Sequence, residues 1–275
     1  MSETPPSRWS DLDRSALDAR ALSAALTRDG GLWRSLEVVE SIGSTNAELL
    51  ARAGAGADEG TVLVAEHQEA GRGRLDRTWT SPPRAGLTVS FLVRPDVPAA
   101  RRGWLPLLTG VALAESVGEA TGVRASVKWP NDLLALDGRK LAGILAEASS
   151  DAVVVGTGLN VNTNATELPD TGTSLSVVTG APVDRGPLLL AFLRAVERRY
   201  RAWVDALGDP VASGLARDYL AWSSTVGTTV TVTLPDGTTL AGVAQAVDWD
   251  GRLVVATAGG TVELASGDVQ HVRRV

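Results

Sequence analysis

Apolar positions recur along this chain at two periods. Leu17, Ala21, Leu22, Ala25 and Leu26 stand three and four residues apart, as on one face of a helix, with Asp13 as a candidate N-cap and Gly30-Gly31 as the stop. From Leu36 the periods mix. Short apolar runs at 36–39, 61–65 and 86–94 predict strands, and Asn46-Ala-Glu-Leu-Leu-Ala-Arg, opening at Ser44 or Thr45, predicts a helix between the first two. Residues 106–120 predict a second helix, and 123–129, 140–147 and 152–162 predict three further strands, with an Asp137-Gly138 turn as a hairpin joint among them. Residues 188–207 predict a long amphipathic helix. Beyond Trp222, strict alternation at 229–234 and turn signals at Pro235-Asp-Gly, Asp250-Gly, Gly259-Gly and Ser266-Gly-Asp mark the short strands of a small β-barrel. The expected division is a tail and helix at 1–35, an α+β domain with a mixed sheet at 36–221, and a barrel at 222–275.

Composition narrows the chemistry. The 275 residues hold no cysteine and two histidines, His67 and His271, which removes thiolate catalysis, disulfide scaffolds and zinc–cysteine sites and leaves little room for a Ser-His-Asp triad. The opening MSETPPSRWSDLDR has no basic region followed by an apolar one, and the apolar runs are too short to span a bilayer, so a cytoplasmic protein without membrane contact is expected. A net charge of −6 argues against a general nucleic-acid binder. Of the 26 basic residues only Lys128 and Lys140 are lysine, a compact point charge that arginine does not always replace.

Five stretches carry candidate chemistry. In Gly71-Arg72-Gly73-Arg74-Leu75-Asp76-Arg77-Thr78-Trp79, glycines let the backbone wrap an anion that guanidinium groups reach, although a solvated basic loop or an RNA contact has the same composition. The spacing matches neither the dinucleotide-binding nor the P-loop pattern. Lys128-Trp129-Pro130-Asn131-Asp132 is either a self-capped turn or a polar cluster. Lys140 opens an apolar strand, at a rim or beside an anion. Gly156-Thr-Gly158-Leu-Asn160-Val-Asn162 is a glycine-relieved strand or a close approach to a ligand. Ser44-Thr45-Asn46 caps a helix.

In their order, SxGSTNxE, AEHQEAGRGRxxRxW, KWPND, RKLAGILAE, VGTGLNVN and the C-terminal barrel, the stretches make this chain resemble the biotin protein ligases over residues 36–275. One departure is Asp76, where the family's basic loop usually has glycine. The resemblance implies a mixed-sheet catalytic domain of the biotin/lipoate ligase type followed by a small SH3-like β-barrel. It also implies that biotin and ATP with Mg²⁺ form biotinyl-5′-AMP, whose acyl group passes to a lysine of the biotin carboxyl carrier domain of an acyl-CoA carboxylase. By resemblance, Ser44, Thr45, Asn46 and Gln68 contact biotin, and Gly71, Arg72, Gly73, Arg74 and Lys140 cover its carboxyl end. Arg74, Arg77, Trp79, Asn131, Lys140 and Asn160 serve ATP. Lys140, Arg74 and Asp132 are the catalytic candidates, Asp132 also for magnesium. The basic loop is expected to be mobile and to close over the adenylate. A monomer of the monofunctional type, without an N-terminal DNA-binding domain, is expected. The rival readings are a lipoate or octanoate ligase or transferase of the same fold, and a biotin-responsive regulator.

Overall fold

The computed structural model describes residues 14–74, 77–234, 236–265 and 267–271. The first thirteen residues with the Asp13 cap, Asp76 in the basic loop, and Pro235 and Ser266 in two of the turns lie outside them.

Helix α1 is Ala19–Leu26, capped by the Asp18 side chain on the Ala21 N–H, so the helix starts later than its apolar spacing suggested. Strand β1 (Ser35–Val39), helix α2 (Thr45–Gly54) and β2 (Thr61–Ala65) form one crossover, and β1 and β2 pair in parallel, which such a connection allows. Ser44 caps α2 at the Ala47 N–H. Then come β3 (Gly86–Val93), α3 (Trp104–Thr121), β4 (Ala125–Lys128), β5 (Asp132–Ala135), β6 (Lys140–Ser149) and β7 (Ala152–Asn160). Pro106 lies within the first turn of α3, where backbone N–H groups have no intrahelical partner, so the helix begins before it.

Strand β5 is a correction to the sequence reading, which passed from 123–129 directly to 140–147. Four residues between two turns are too few to show a period, and the Asp137-Gly138 turn joins β5 to β6. The seven strands run β1-β2-β3-β7-β6-β5-β4, antiparallel except for the first pair, which makes the sheet mixed as expected.

Helix α5 (Arg185–Asp205) packs with α3 behind the sheet. Val89, Phe91, Val155, Leu159, Ile144 and Val127 belong to the large core on that side. On the opposite face α2 lies over a small cluster of Leu49, Ala53, Leu63, Leu92, Ala152 and Val154. Past α2 the indole of Trp79 lies on the strands at Gly158. Covered on both sides, β3 and β7 are buried along their whole length, which is why they read as continuous apolar runs. Two short helices, α4 (Leu175–Thr179) and α6 (Leu215–Trp222), had not been foreseen.

A second, antiparallel sheet follows: β8 (Thr229–Thr233), β9 (Thr239–Val247), β10 (Leu253–Thr257), β11 (Gly260–Leu264) and β12 (Asp268–His271), in the order β11-β10-β9-β8-β12. Two buried tryptophans of the first sheet region hold its β9–β10 turn. Trp104 Nε1 donates to the Asp248 and Trp249 carbonyls and Trp129 Nε1 to the Gly251 carbonyl, at 3.0–3.1 Å. Gly103 is glycine because a Cβ there would overlap the Asp250 carbonyl.

Behind the end of β2, the Arg185–Glu66 ion pair (2.6 Å) is almost wholly buried, its side chains 3% and 2% exposed. Arg185 also donates to the Gly86 and Ser15 carbonyls, and Glu66 accepts from the Leu17 N–H, so four segments meet at one pair of charges. Arg185→Leu would strand a buried carboxylate and should destabilise the protein by about 3–5 kcal/mol in urea unfolding. Arg185→Leu with Glu66→Leu should recover most of that loss. Equal stability of the two variants would show that the charges are not coupled.

Candidate active site

Side chains of cross-strand partners point to the same face of a sheet, so register alone shows what stands on the face that carries α2. Thr88, Gly158, Gly143, Asp132 and Lys128 are successive partners across β3, β7, β6, β5 and β4. Ser90, Gly156 and Leu145 form the next row. Three of these positions are glycine, and the face there is bare backbone. A Cβ on Gly156 would run into the Asn46 side chain, and one on Gly158 into the indole of Trp79. A pocket lies over this floor. It brings together Ser44, Thr45, Asn46, Gln68, Arg72, Gly73, Arg74, Arg77, Trp79, Asn131, Asp132 and Lys140 of the residues singled out from the sequence. Gly71 sits just behind, pressed against the Trp79 carbonyl. Asn160 does not line the pocket. It is buried, and its amide donates to the Thr173 carbonyl at 3.1 Å.

At the α2 end the polar groups are locked together. Gln68 Oε1 accepts from the Thr45 N–H and hydroxyl at 2.8 and 2.9 Å. The buried Ser90 hydroxyl reaches Thr45 Oγ1 and Asn46 Oδ1 at 2.7 and 2.6 Å. Asn46 Nδ2 donates to the Leu145 carbonyl and to Glu147 at 3.1 and 2.8 Å. Both N–H donors of Asn46 are therefore engaged within the protein, and its role is to brace the slot. The Gln68 amide nitrogen has no hydrogen-bond partner among the described residues.

The basic loop folds back on itself: Trp79 N–H donates to the Gly71 carbonyl and Gly73 N–H to the Arg77 carbonyl, at 2.9 and 2.6 Å. Its arginines are separated by their partners. Arg72 faces Glu147 at 3.4 Å, and Arg77 pairs with Asp268 of β12 at 2.5 Å. That hydrogen bond raises the Arg77 pKa. Among the described residues the Arg74 side chain donates only to the neutral Asn131 Oδ1, at 3.3 Å, and burial lowers its pKa against the opposing pull of Asp132 and Asp268. Lys140 Nζ lies 2.6 Å from Asp132 Oδ1 and 5.9 Å from the centre of the Trp79 ring. The arrangement offers an uncharged slot under α2, a flat aromatic wall, and a cationic end.

Several lining groups were not singled out as site residues. Thr88 follows from register alone, while Lys128, Leu145, Gly156 and Gly158 stand in stretches already read as candidate chemistry and register puts them on the pocket face. Ser90 and Glu147 brace the slot from its floor and edge, and Glu147 had already been quoted at the end of RKLAGILAE. Gly267 and Asp268 arrive from the second sheet, and the sequence marked them as a turn and not as part of a site.

A mixed sheet followed by an antiparallel sheet matches the solved structures of biotin protein ligases. Residues 38–164 match the biotin/lipoate A/B protein ligase family, and residues 225–272 match the biotin protein ligase C-terminal domain. The chain is 45% identical to a biotin–[acetyl-CoA-carboxylase] ligase of Mycobacterium tuberculosis, over 94% of this chain and 97% of that one. It is 35% identical to the bifunctional ligase/repressor BirA of Bacillus subtilis, over 85% of this chain and 72% of that one. The biotin protein ligase of Aquifex aeolicus in complex with biotin and ATP superposes with a TM-score of 0.74 at 28% identity, covering 88% of this chain and all of the other. The chain belongs to the biotin protein ligase family.

Gly158→Ala should push Trp79 off the floor. Overpacking of this kind costs about 1–3 kcal/mol of stability, so the unfolding midpoint should fall, and the displaced indole should also appear as about a tenfold or greater loss of ligase turnover at temperatures where the variant is folded. Unchanged kinetics would mean that the indole is not part of the working site.

Proposed function

We propose that this protein joins biotin to ATP as biotinyl-5′-AMP and transfers the biotinyl group to a lysine of the carrier domain of an acyl-CoA carboxylase. The observation that carries the reading is the single pocket wall along which a neutral, locked slot gives way to an aromatic face and then to cations. In this reading the division into residues 36–221 and 222–275 separates the catalytic part from a part that supplies Asp268 to the pocket rim.

The ureido ring of biotin needs short polar partners in an otherwise closed slot, and Thr45, Ser44 and Gln68 offer them while Asn46 and Ser90 hold them in place. Adenylation brings a carboxylate against a phosphate, two anions that repel unless cations lie between them. Arg74 and Lys140 stand where that charge develops. Lys140 is held at Asp132, so a phosphate must compete with that carboxylate for the ammonium. Trp79 presents its ring to adenine. Arg72 and Arg77 close over the acyl-phosphate and phosphate ends by exchanging Glu147 and Asp268 for the ligand.

Magnesium is the usual partner of ATP and is commonly held by one or two carboxylates together with phosphate oxygens. Asp132 and Asp268 both line the pocket and would hold the ion together with phosphate oxygens. When bound, the ion would neutralise the polyphosphate. As the sequence reading expects, we propose a monomer working in the cytoplasm. No helix among the described residues is long and apolar enough to cross a membrane.

Pyrophosphate release should depend on biotin and not on lipoate; the reverse preference would overturn the reading. Lys140→Ala should lower adenylation about 10²-fold without loss of folding, and Lys140→Arg should also be impaired because a planar fork does not fit a point-charge seat. Parent rates in both would remove Lys140 from the chemistry. Arg74→Gly should still form the adenylate but release it early, read as biotinylation of bystander lysines.

A further inference from the structure

The cations around the pocket fall into two groups. Arg72, Arg77 and Lys140 each have a carboxylate of their own: Glu147, Asp268 and Asp132. Arg74 and Lys128 have no ion-pair partner among the described residues. A cation with a built-in counter-ion leaves an empty pocket nearly neutral, and a cation without one marks where a ligand's negative charge must go. Arg74 is already assigned by its place in the basic loop. Lys128 is not.

Its position follows from register. Lys128 is the Cα partner of Asp132, Asp132 of Gly143, and Gly143 of Gly158. All four therefore face the same side, and Lys128 lies three strands from Gly158, about 14 Å at the usual strand spacing of about 4.8 Å. Gly158 carries Trp79 and adjoins the slot braced by Asn46 on Gly156. Lys128 is thus at the far end of the pocket, past Lys140 and Asp132. It lines the pocket and is half-buried.

We infer that Lys128 is a catalytic residue of the first half-reaction alone, binding the pyrophosphate that leaves ATP. This rests on the adenylation reading above. In that step a biotin carboxylate oxygen forms a bond to the α-phosphorus while the bond from that phosphorus to the bridging oxygen breaks. The bridging oxygen departs with the electron pair on pyrophosphate, and no proton need be exchanged. The leaving group gains negative charge at the end of the ligand farthest from biotin, where Lys128 can donate its N–H groups to it. In the second half-reaction the carrier lysine attacks the acyl carbon and AMP leaves. No pyrophosphate is present, and Lys128 has nothing to hold. Lys140, beside the junction of acyl group and α-phosphate, serves both.

The experiment separates the two halves. Biotin-dependent pyrophosphate release is measured for the parent protein, Lys128→Met and Lys128→Arg. Transfer to a carrier domain is measured separately, starting from synthetic biotinyl-5′-AMP. Lys128→Met should slow pyrophosphate release about 10²-fold and leave transfer within about twofold, and Lys128→Arg should recover part of the loss because it keeps the charge. Transfer at the parent rate also shows that the variant is folded. Pyrophosphate release at the parent rate in Lys128→Met, or equal slowing of both halves, would overturn the assignment. Absence of biotin-dependent pyrophosphate release from the parent protein would instead overturn the adenylation reading itself.

Discussion

The site depends on the absence of side chains at Gly143, Gly156 and Gly158. On a pleated sheet every second residue points to the same face, and a Cβ at Gly156 or Gly158 would fill the space that Asn46 or Trp79 occupies, while one at Gly143 would crowd the end of Lys140. Glycine weakens a strand because it is costly to order and offers nothing to pack. The cost is absorbed where the sheet is strongest, since β7 is paired along its whole length with both β3 and β6. The opposite face supplies the burial, with Val155 and Leu159 fixed in the main core. Register cannot slip there without exposing that row to water.

Charge is the second constraint on the pocket. Three arginines and two lysines around one small space would repel one another, and the structure answers by giving three of them separate acids. Those acids come from three elements: Asp132 from β5, Glu147 from β6 and Asp268 from β12. The contacts are partly exposed, so each is a modest interaction that a more highly charged partner can displace. Arg74 and Lys128 are the exceptions among the described residues, and Arg74 is buried deeply enough for its pKa to fall and is held by a neutral amide. A desolvated guanidinium gains most from an arriving anion, because little water remains to compete.

The second sheet is joined to this chemistry by structure. Trp104 and Trp129 spend their indole N–H groups on the turn between β9 and β10, which fixes that sheet against the first. The docking brings Gly267 and Asp268 to the pocket rim, and through Asp268 the last strand holds the basic loop. Trp129 is therefore a brace, although its neighbours Asn131 and Asp132 in the same five-residue motif face the pocket.

Much of this was written in the chain. Long periodic segments showed themselves because one buried face imposes its period: residues 61–65 were read as the strand that forms, and α3 and α5 came within a few residues. The residues of SxGSTNxE, GRGRxxRxW, KWPND and RKLAGILAE that meet in the pocket were legible as a set because their order and spacing were. Local sequence failed where the deciding partner is distant. β5 is a strand because β4 and β6 flank it, and α6 is held by contacts with α3 and β4. Asn160 read as a ligand contact, but its amide is taken by Thr173. Asp268 gave no sign of its role, and neither did the row that aligns Lys128 with Gly143 and Gly158. The sequence determined which segments become strands and helices, since periodicity and capping are properties of neighbours along the chain. Tertiary structure alone decided which side chains share the pocket and which cations keep a counter-ion, because pairing register and the docking of a second sheet join residues that are remote in sequence.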